Sequence, residues 1–203
     1  MKRVRSFLLA ASLLAFSCIA GAEPFDLVLQ NGRVMDPESG LDAIRHVGIR
    51  DGRVDTLSES PLEGRKIIDA RGLVVAPGFI DLHSHSDFTL LLDSRAESFI
   101  RQGVTTEVIG NCGMSAAPLK HHEYLKRNVF CYSEPFTPRW SSTDEYFSIL
   151  EGNSLGINVV PLIGHAALRS YVMGFERRGA TDQEQAEMEQ LLTECLEIGA
   201  WGM

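Results

Sequence analysis

The sequence changes its pattern at Pro77, and this change constrains the fold more than any other feature. From Phe25 to about Val75, short β-rich runs alternate with tight turns, and no helical period is present. After Pro77, apolar runs typical of buried strands alternate with segments typical of helices. Because such alternation is typical of βαβ units and a parallel sheet, we predict an α/β protein. A small β module, residues 23–75, precedes a β/α region, residues 76–203.

Two dipeptides in the β module are signals for tight hairpins. Asn31-Gly32 separates two β-rich runs, and Asp51-Gly52 separates two more. Both dipeptides favour the type I′ turn, because they tolerate the positive φ angles that this turn requires. The sequence therefore predicts a small antiparallel module with two hairpins.

The β/α region contains about three complete units and the start of a fourth. Thr181 and Glu184 form a capping box ahead of an amphipathic helix. Strands are predicted over 78–83, 104–110 and 157–164, helices over 94–103, 143–150 and 181–198, and the start of a further strand over 200–203. Because an eight-fold barrel takes about 250 residues, we expect the chain to be the N-terminal part of something larger.

Residues 1–22 have the order of a secretory signal peptide. Basic residues within 2–5 precede an uncharged stretch over 7–20, and Ala20-Gly21-Ala22 supplies small residues for cleavage. The apolar stretch is shorter than the roughly 20 residues that cross a bilayer as a helix. We therefore expect an exported protein, periplasmic or secreted, with no stable membrane anchor after cleavage.

The net charge and the cysteine content limit which partners and cofactors are expected. Lys and Arg total 19 against 27 Asp and Glu, a formal charge of −8, so nucleic acid and anionic membranes are not expected partners. Cleavage after Ala22 would leave three cysteines, Cys112, Cys131 and Cys195. An odd number leaves at least one thiol unpaired, and metal binding is one explanation.

The strongest chemical signal is the pair His83 and His85, which follows Pro77-Gly78 and a predicted strand. Residues i and i+2 of a strand point to the same side, so both imidazoles could reach one ion. The carboxyl end of a barrel strand is also where α/β barrels place their chemistry. The alternative is a pair of histidines near a turn with no metal.

Several motifs together resemble one family. Pro77-Gly78-Phe79-Ile80-Asp81-Leu82-His83-Ser84-His85 looks like the first-strand signature of the amidohydrolase superfamily. The segments 103–106 (G-V-T-T) and 110–113 (G-N-C-G) are similar to the N-acyl-D-amino-acid deacylase (D-aminoacylase) family, as are 158–165 and 199–202. The resemblance spans nearly all of residues 25–203 and rests on the motifs occurring together.

This resemblance implies the N-terminal portion of a (β/α)8 barrel preceded by a small β-sandwich, of which this chain carries a part. It implies zinc-dependent hydrolysis of the linear amide of N-acyl-D-amino acids, which are small-molecule partners. The residues carried over as Zn²⁺ ligands are His83, His85 and Cys112. In the family, further histidine ligands and a general-base aspartate come from later strands, which we expect beyond residue 203.

Two weaker candidates accompany the ligand set. His165 is expected to end the third strand and to contact substrate or support the site, although a structural hydrogen bond is as good an explanation. Asp81, two residues before His83, could orient a ligand imidazole or could cap a loop.

Two other functions stay open at this point. One is hydrolysis of cyclic amides, as in dihydroorotases and hydantoinases, against which the N-C-G element argues. The other is a truncated, catalytically dead product. The number of metal ions and the oligomeric state do not follow from the sequence.

Overall fold

The computed structural model describes residues 23–128 and 137–203. The predicted signal peptide and Cys131 lie outside the described residues. The chain divides into two compact units, one ending at Pro77 and the other beginning at Gly78. Within the described ranges, every helix is too short or too polar to cross a bilayer.

The unit that ends at Pro77 is built from strands. Its strands are β1 (Phe25–Asp36), β2 (Leu41–Arg50), β3 (Arg53–Ser58), β4 (Gly64–Asp69) and β5 (Val74–Val75). They form one sheet in the order β3-β2-β1-β4, with β5 also paired to β1. The predicted hairpin at Asp51-Gly52 is confirmed, because β2 and β3 pair antiparallel and both turn residues have positive φ, 49° and 71°.

The predicted hairpin at Asn31-Gly32 is wrong. Strand β1 runs straight through these residues, and its register against β2 shifts between Leu29 and Gly32. Asn31 has φ 63°, and its side-chain amide donates to Asp69 Oδ1 at 3.0 Å. The positive φ therefore serves a β-bulge instead of a turn. The sheet is also mixed and not antiparallel throughout, because β4 and β5 both run parallel to β1.

The unit that begins at Gly78 alternates strands and helices. Its elements are β6 (Phe79–Asp81), α1 (Thr89–Leu92), α2 (Glu97–Ile100), β7 (Val104–Ile109), α3 (Glu123–Asn128), α4 (Thr143–Gly152), β8 (Asn158–Pro161), α5 (His165–Met173) and α6 (Asp182–Ile198). The strands form a parallel sheet in the order β6-β7-β8, which confirms the α/β class.

The sheet of this unit has β7 at its centre. Asp81 of β6 pairs with Glu107 of β7, which pairs in turn with Val159 of β8. Ile109 lies in the main apolar core with residues from the helices, among them Leu90 and Tyr146. Because the strands are parallel, their carboxyl ends lie at one edge of the sheet, and the segments that follow them meet there.

Residues 200–203 were predicted to begin a further strand, and they run beside β8. Trp201 N donates to Pro161 O, and Ile163 N donates to Gly202 O, each at 2.9 Å. Their backbone therefore bonds to this edge of the sheet, although no strand is assigned there.

Several predicted boundaries are wrong. The predicted helix over 94–103 is limited to α2, and the predicted strand over 157–164 ends at Pro161. Helix α5, which begins at His165, was not predicted. Its N-cap is Gly164, which offers no capping side chain, so the usual polar start signal is missing.

Helix α6 begins with the predicted capping box. Thr181 Oγ1 accepts from Glu184 N at 3.2 Å, and the Glu184 carboxylate accepts from Thr181 N at 2.8 Å. Arg178 also donates to this carboxylate, and its contact is the largest cause that lowers the pKa of Glu184 to about 2.

We predict that Thr181→Ala lowers the free energy of unfolding by about 1 kcal/mol, because the first turn of α6 loses its capping acceptor. Urea unfolding followed by circular dichroism measures this change. Thr181→Ser keeps the hydroxyl and is the control, so equal unfolding midpoints for the Ala and Ser variants would contradict the role of the cap.

Candidate metal centre

Three side chains that bind soft and borderline metals converge at the carboxyl edge of the parallel sheet. The ligand atoms of His83, His85 and Cys112 all lie within 4.8 Å of one another. His83 Nε2 lies 3.2 Å from Cys112 Sγ, and the two imidazole rings stand edge to face with centroids 5.4 Å apart. Among the described residues, no other group of three or more His, Cys, Asp or Glu side chains is placed to hold one metal ion.

The spacing and chemistry of these donors fit zinc. Zinc binds imidazole nitrogen at about 2.0–2.1 Å and thiolate sulfur at about 2.3 Å, so a nitrogen and a sulfur ligand of a tetrahedral ion stand about 3.5–3.6 Å apart. His83 Nε2 and Cys112 Sγ, at 3.2 Å, are slightly closer together than this. His83 and Cys112 are exposed and His85 is half-buried, so an ion and a small substrate can reach the donors.

The predicted strand over 78–83 is too long, and neither histidine lies on a strand. Strand β6 ends at Asp81, and His83 and His85 belong to the segment that follows it. Two hydrogen bonds fix the start of this segment. Asp81 Oδ1 accepts from His83 N at 3.0 Å, and Ser84 N donates to Val108 O at 3.0 Å. The histidines therefore converge because their segment is bonded to β7.

Cys112 is held in a tight loop directly after β7. Its φ is 57°, a left-handed value that is uncommon for a residue with a side chain and is typically maintained at functional sites. Gly110, also at positive φ, allows close packing, because a Cβ there would lie 2.1 Å from Leu162 O. The loop conformation is thus imposed by its surroundings, and it presents the thiol beside His83.

Asn111 connects the two ligand-bearing segments, a role that the sequence analysis missed. Its side-chain amide donates to Val108 O at 2.7 Å and to Ser84 O at 3.3 Å. One side chain therefore ties the loop of Cys112 to the segment of the two histidines.

Two buried carboxylates belong to the segments that carry the donors, Glu107 on β7 and Asp87 two residues after His85. Neither was predicted from the sequence. Glu107 on β7 is 0% exposed, and Asp87 is 3% exposed. Burial raises the pKa of Asp87 to about 6, although main-chain N–H groups, including those of Gly110 and Ala116, partly oppose the rise. Burial also raises the pKa of Glu107, against hydrogen bonds from Ser86 and Ser84. An acidic residue within the otherwise uncharged strand V-T-T-E-V-I is the signal that could have pointed to Glu107.

The two weaker candidates lie in different places. Asp81 caps the main chain of His83, as described above, which is the loop-capping alternative. The expectation that His165 ends the third strand is wrong, because His165 is the first residue of α5. It is exposed in a hollow lined by Leu168, Met188 and other residues, and it is not part of the group formed by the three donors.

Comparisons with known proteins show the family of this chain. Residues 66–203 match the model of the amidohydrolase family, and the chain belongs to this family. The chain is 36% identical over 179 residues to an N-acyl-D-aspartate deacylase of Alcaligenes xylosoxydans xylosoxydans, covering 88% of this chain and 36% of the relative. It is also similar to the crystal structure of N-acyl-D-glutamate deacylase from Bordetella bronchiseptica complexed with zinc and a phosphonate inhibitor. There the TM-score is 0.78 and the identity 34%, over 89% of this chain and 38% of that one.

A shorter similarity concerns a different kind of amidohydrolase. A dihydroorotase of Streptococcus pneumoniae is 53% identical, but over 60 residues only, 29% of this chain. The similarity to the deacylases extends over almost the whole described chain. The chain nevertheless spans little more than a third of the length of those deacylases.

We predict that Cys112→Ala weakens zinc binding on the order of a hundredfold. Loss of one of three donors should cost at least as much as changes to groups that only support ligands, which cost about 10–100-fold. Competition with a chromophoric chelator measures the dissociation constant. His122→Ala, which changes an exposed histidine outside the group, is the matched control. Wild-type affinity in Cys112→Ala would show that the thiol is not a ligand.

Proposed function

We propose that this protein acts in zinc-dependent hydrolysis of the linear amide bond of N-acyl-D-amino acids. The observation that carries the proposal is the convergence of His83, His85 and Cys112 in a chain of the amidohydrolase family. The similarity to an N-acyl-D-aspartate deacylase over 88% of the chain supports the choice of substrate.

In this proposal, His83 and His85 bind the metal as neutral imidazoles and Cys112 binds it as a thiolate. One anionic ligand leaves a divalent ion with residual positive charge. When bound, zinc supplies Lewis acidity, which polarises an amide carbonyl and lowers the pKa of water. Asp81 fixes the backbone of His83, and Asn111 holds the two ligand-bearing segments together.

We also propose that β6, β7 and β8 correspond to the first strands of a (β/α)8 barrel and that β1–β5 belong to a β-sandwich. The parallel order of β6, β7 and β8, with chemistry at their carboxyl edge, supports the barrel. The described residues account for metal binding and backbone positioning, and this proposal assigns the general base for proton transfer to none of them.

We predict that the zinc-loaded protein releases free amine from N-acetyl-D-aspartate or N-acetyl-D-glutamate and leaves the L enantiomers intact. A fluorescent amine reagent measures the release, and dihydroorotate, followed by ultraviolet absorbance, tests the cyclic-amide alternative. Chelation should abolish the release and added zinc should restore it, because the metal supplies the Lewis acid.

The matched variants are Cys112→Ala, which should lose activity together with zinc, and His122→Ala, which should retain both. Hydrolysis of dihydroorotate in place of the acylated amino acids would overturn the substrate assignment. Zinc binding without any hydrolysis would instead favour the catalytically dead alternative.

Export completes the proposal. The order of basic, apolar and small residues in 1–22 supports cleavage after Ala22, so we predict that the mature protein begins at Glu23. N-terminal sequencing of protein recovered outside the cytoplasm tests this. Ala22→Arg should block cleavage and leave the precursor, whereas an unprocessed wild-type chain would contradict the prediction.

A further inference from the structure

The Glu107 carboxylate is buried in the centre of the parallel sheet, where an ionised group is expensive. Transfer of a carboxylate from water into a protein interior is costly unless hydrogen bonds or a cation compensate for the lost hydration. Among the described residues, no Lys or Arg forms an ion pair with Glu107, and its Oε1 atom has no hydrogen-bond partner there. Because burial of this carboxylate is unfavourable, its contacts should show what it contributes to the structure.

The contacts of Glu107 are with the segment that carries the two histidines. Ser86 Oγ donates a hydrogen bond to Glu107 Oε2, and Ser84 Oγ donates to the same atom at 3.3 Å. The two hydroxyls also lie 2.9 Å apart. Ser84 and Ser86 are both buried, at 6% and 4% exposure. Glu107 therefore holds the residues on either side of His85.

Histidines and serines alternate in the order His83-Ser84-His85-Ser86, so the hydrogen bonds from the serines to Glu107 also affect the two histidines. The buried hydroxyls of the two serines contact Glu107, whereas the exposed His83 and the half-buried His85 lie beside Cys112. Fixing the hydroxyls thereby fixes the direction of the imidazoles.

Strand β7 supplies a second link to the same segment. Ser84 N donates to Val108 O, the carbonyl of the residue after Glu107, and Asn111 bonds to both Val108 O and Ser84 O. Cys112 follows directly. The strand that carries Glu107 thus leads to the third donor while holding the segment of the first two.

We propose that Glu107 is a positioning residue of the metal centre, whose buried carboxylate holds the Ser84 and Ser86 hydroxyls and so directs His83 and His85 towards the ion beside Cys112. This inference rests on the metal centre of the proposed function. A carboxylate suits the position because it only accepts, and one of its oxygens can receive both hydroxyl protons. The other oxygen, Oε1, has no hydrogen-bond partner among the described residues, which is unfavourable for a buried atom.

The test compares zinc affinity in Glu107→Gln, Ser86→Ala and the double variant, using the full chain and chelator competition. Each single change should weaken zinc binding by about tenfold, within the range for groups that orient ligands. Because Glu107 acts in part through Ser86, the loss of zinc affinity in the double variant should be smaller than the sum of the two single losses. Additive losses of zinc affinity would show that Glu107 does not act through Ser86.

Ser170→Ala is the matched control for a lost buried hydroxyl. Ser170 is 6% exposed, its hydroxyl donates to Ala167 O within α5, and it is not one of the three donors. It should lower the thermal midpoint much as Ser86→Ala does, with zinc affinity unchanged. Equal zinc affinity in wild type, Glu107→Gln and Ser86→Ala would overturn the proposal.

Cobalt substitution separates positioning from general destabilisation. The thiolate-to-cobalt charge-transfer band should persist in Glu107→Gln, because Cys112 stays in place. The d–d bands should change, because they report the coordination geometry, which depends on the direction of the imidazoles. Identical spectra for wild type and Glu107→Gln would also count against the proposal. A wild-type chain that binds neither metal would instead refute the metal centre itself, so the two failures are distinguishable.

Discussion

The parallel pairing of β6 with β7 is the constraint on which the site depends. It sets Asp81 opposite Glu107 and brings the ends of both strands to one edge of the sheet. The segment with His83 and His85 then meets the loop with Cys112, although 29 residues separate His83 from Cys112 in the chain. Neither segment could present a three-donor group alone. The site is therefore a product of sheet topology, reinforced by the bonds from Ser84 and Asn111 to Val108 O.

Several energetically unfavourable features occur together at the site. Cys112 adopts a left-handed backbone, Glu107 is fully buried, and Asp87 has a pKa raised to about 6 by burial. Features of this kind persist where surrounding structure imposes them, and they are typical of sites that must be preorganised. Here the surrounding structure is the apolar core between the sheet and its helices, which includes Ile109 and Tyr146. The core thus stabilises a conformation that the local sequence would not favour.

The sequence was sufficient for features that depend on short-range chemistry. The capping box of Thr181 and Glu184, the turn at Asp51-Gly52 and the alternation of strands and helices are all present in the structure. It failed where tertiary pairing decided the outcome. Asn31-Gly32 became a bulge because β1 pairs on both sides, and α5 lacked a capping side chain. His83 and His85 were predicted from their spacing and Cys112 from the family resemblance, but Glu107, Asp87 and Asn111 act through contacts that no local pattern encodes.

In the proposed metal centre, one ion is bound by the two imidazoles and the thiolate together. X-ray absorption at the zinc edge of the loaded protein tests this coordination directly, because sulfur and nitrogen neighbours differ in distance and scattering. We expect one sulfur at about 2.3 Å and nitrogen neighbours at about 2.0–2.1 Å. A spectrum with nitrogen and oxygen neighbours but no sulfur would contradict it, since Cys112 would then lie outside the coordination of the metal.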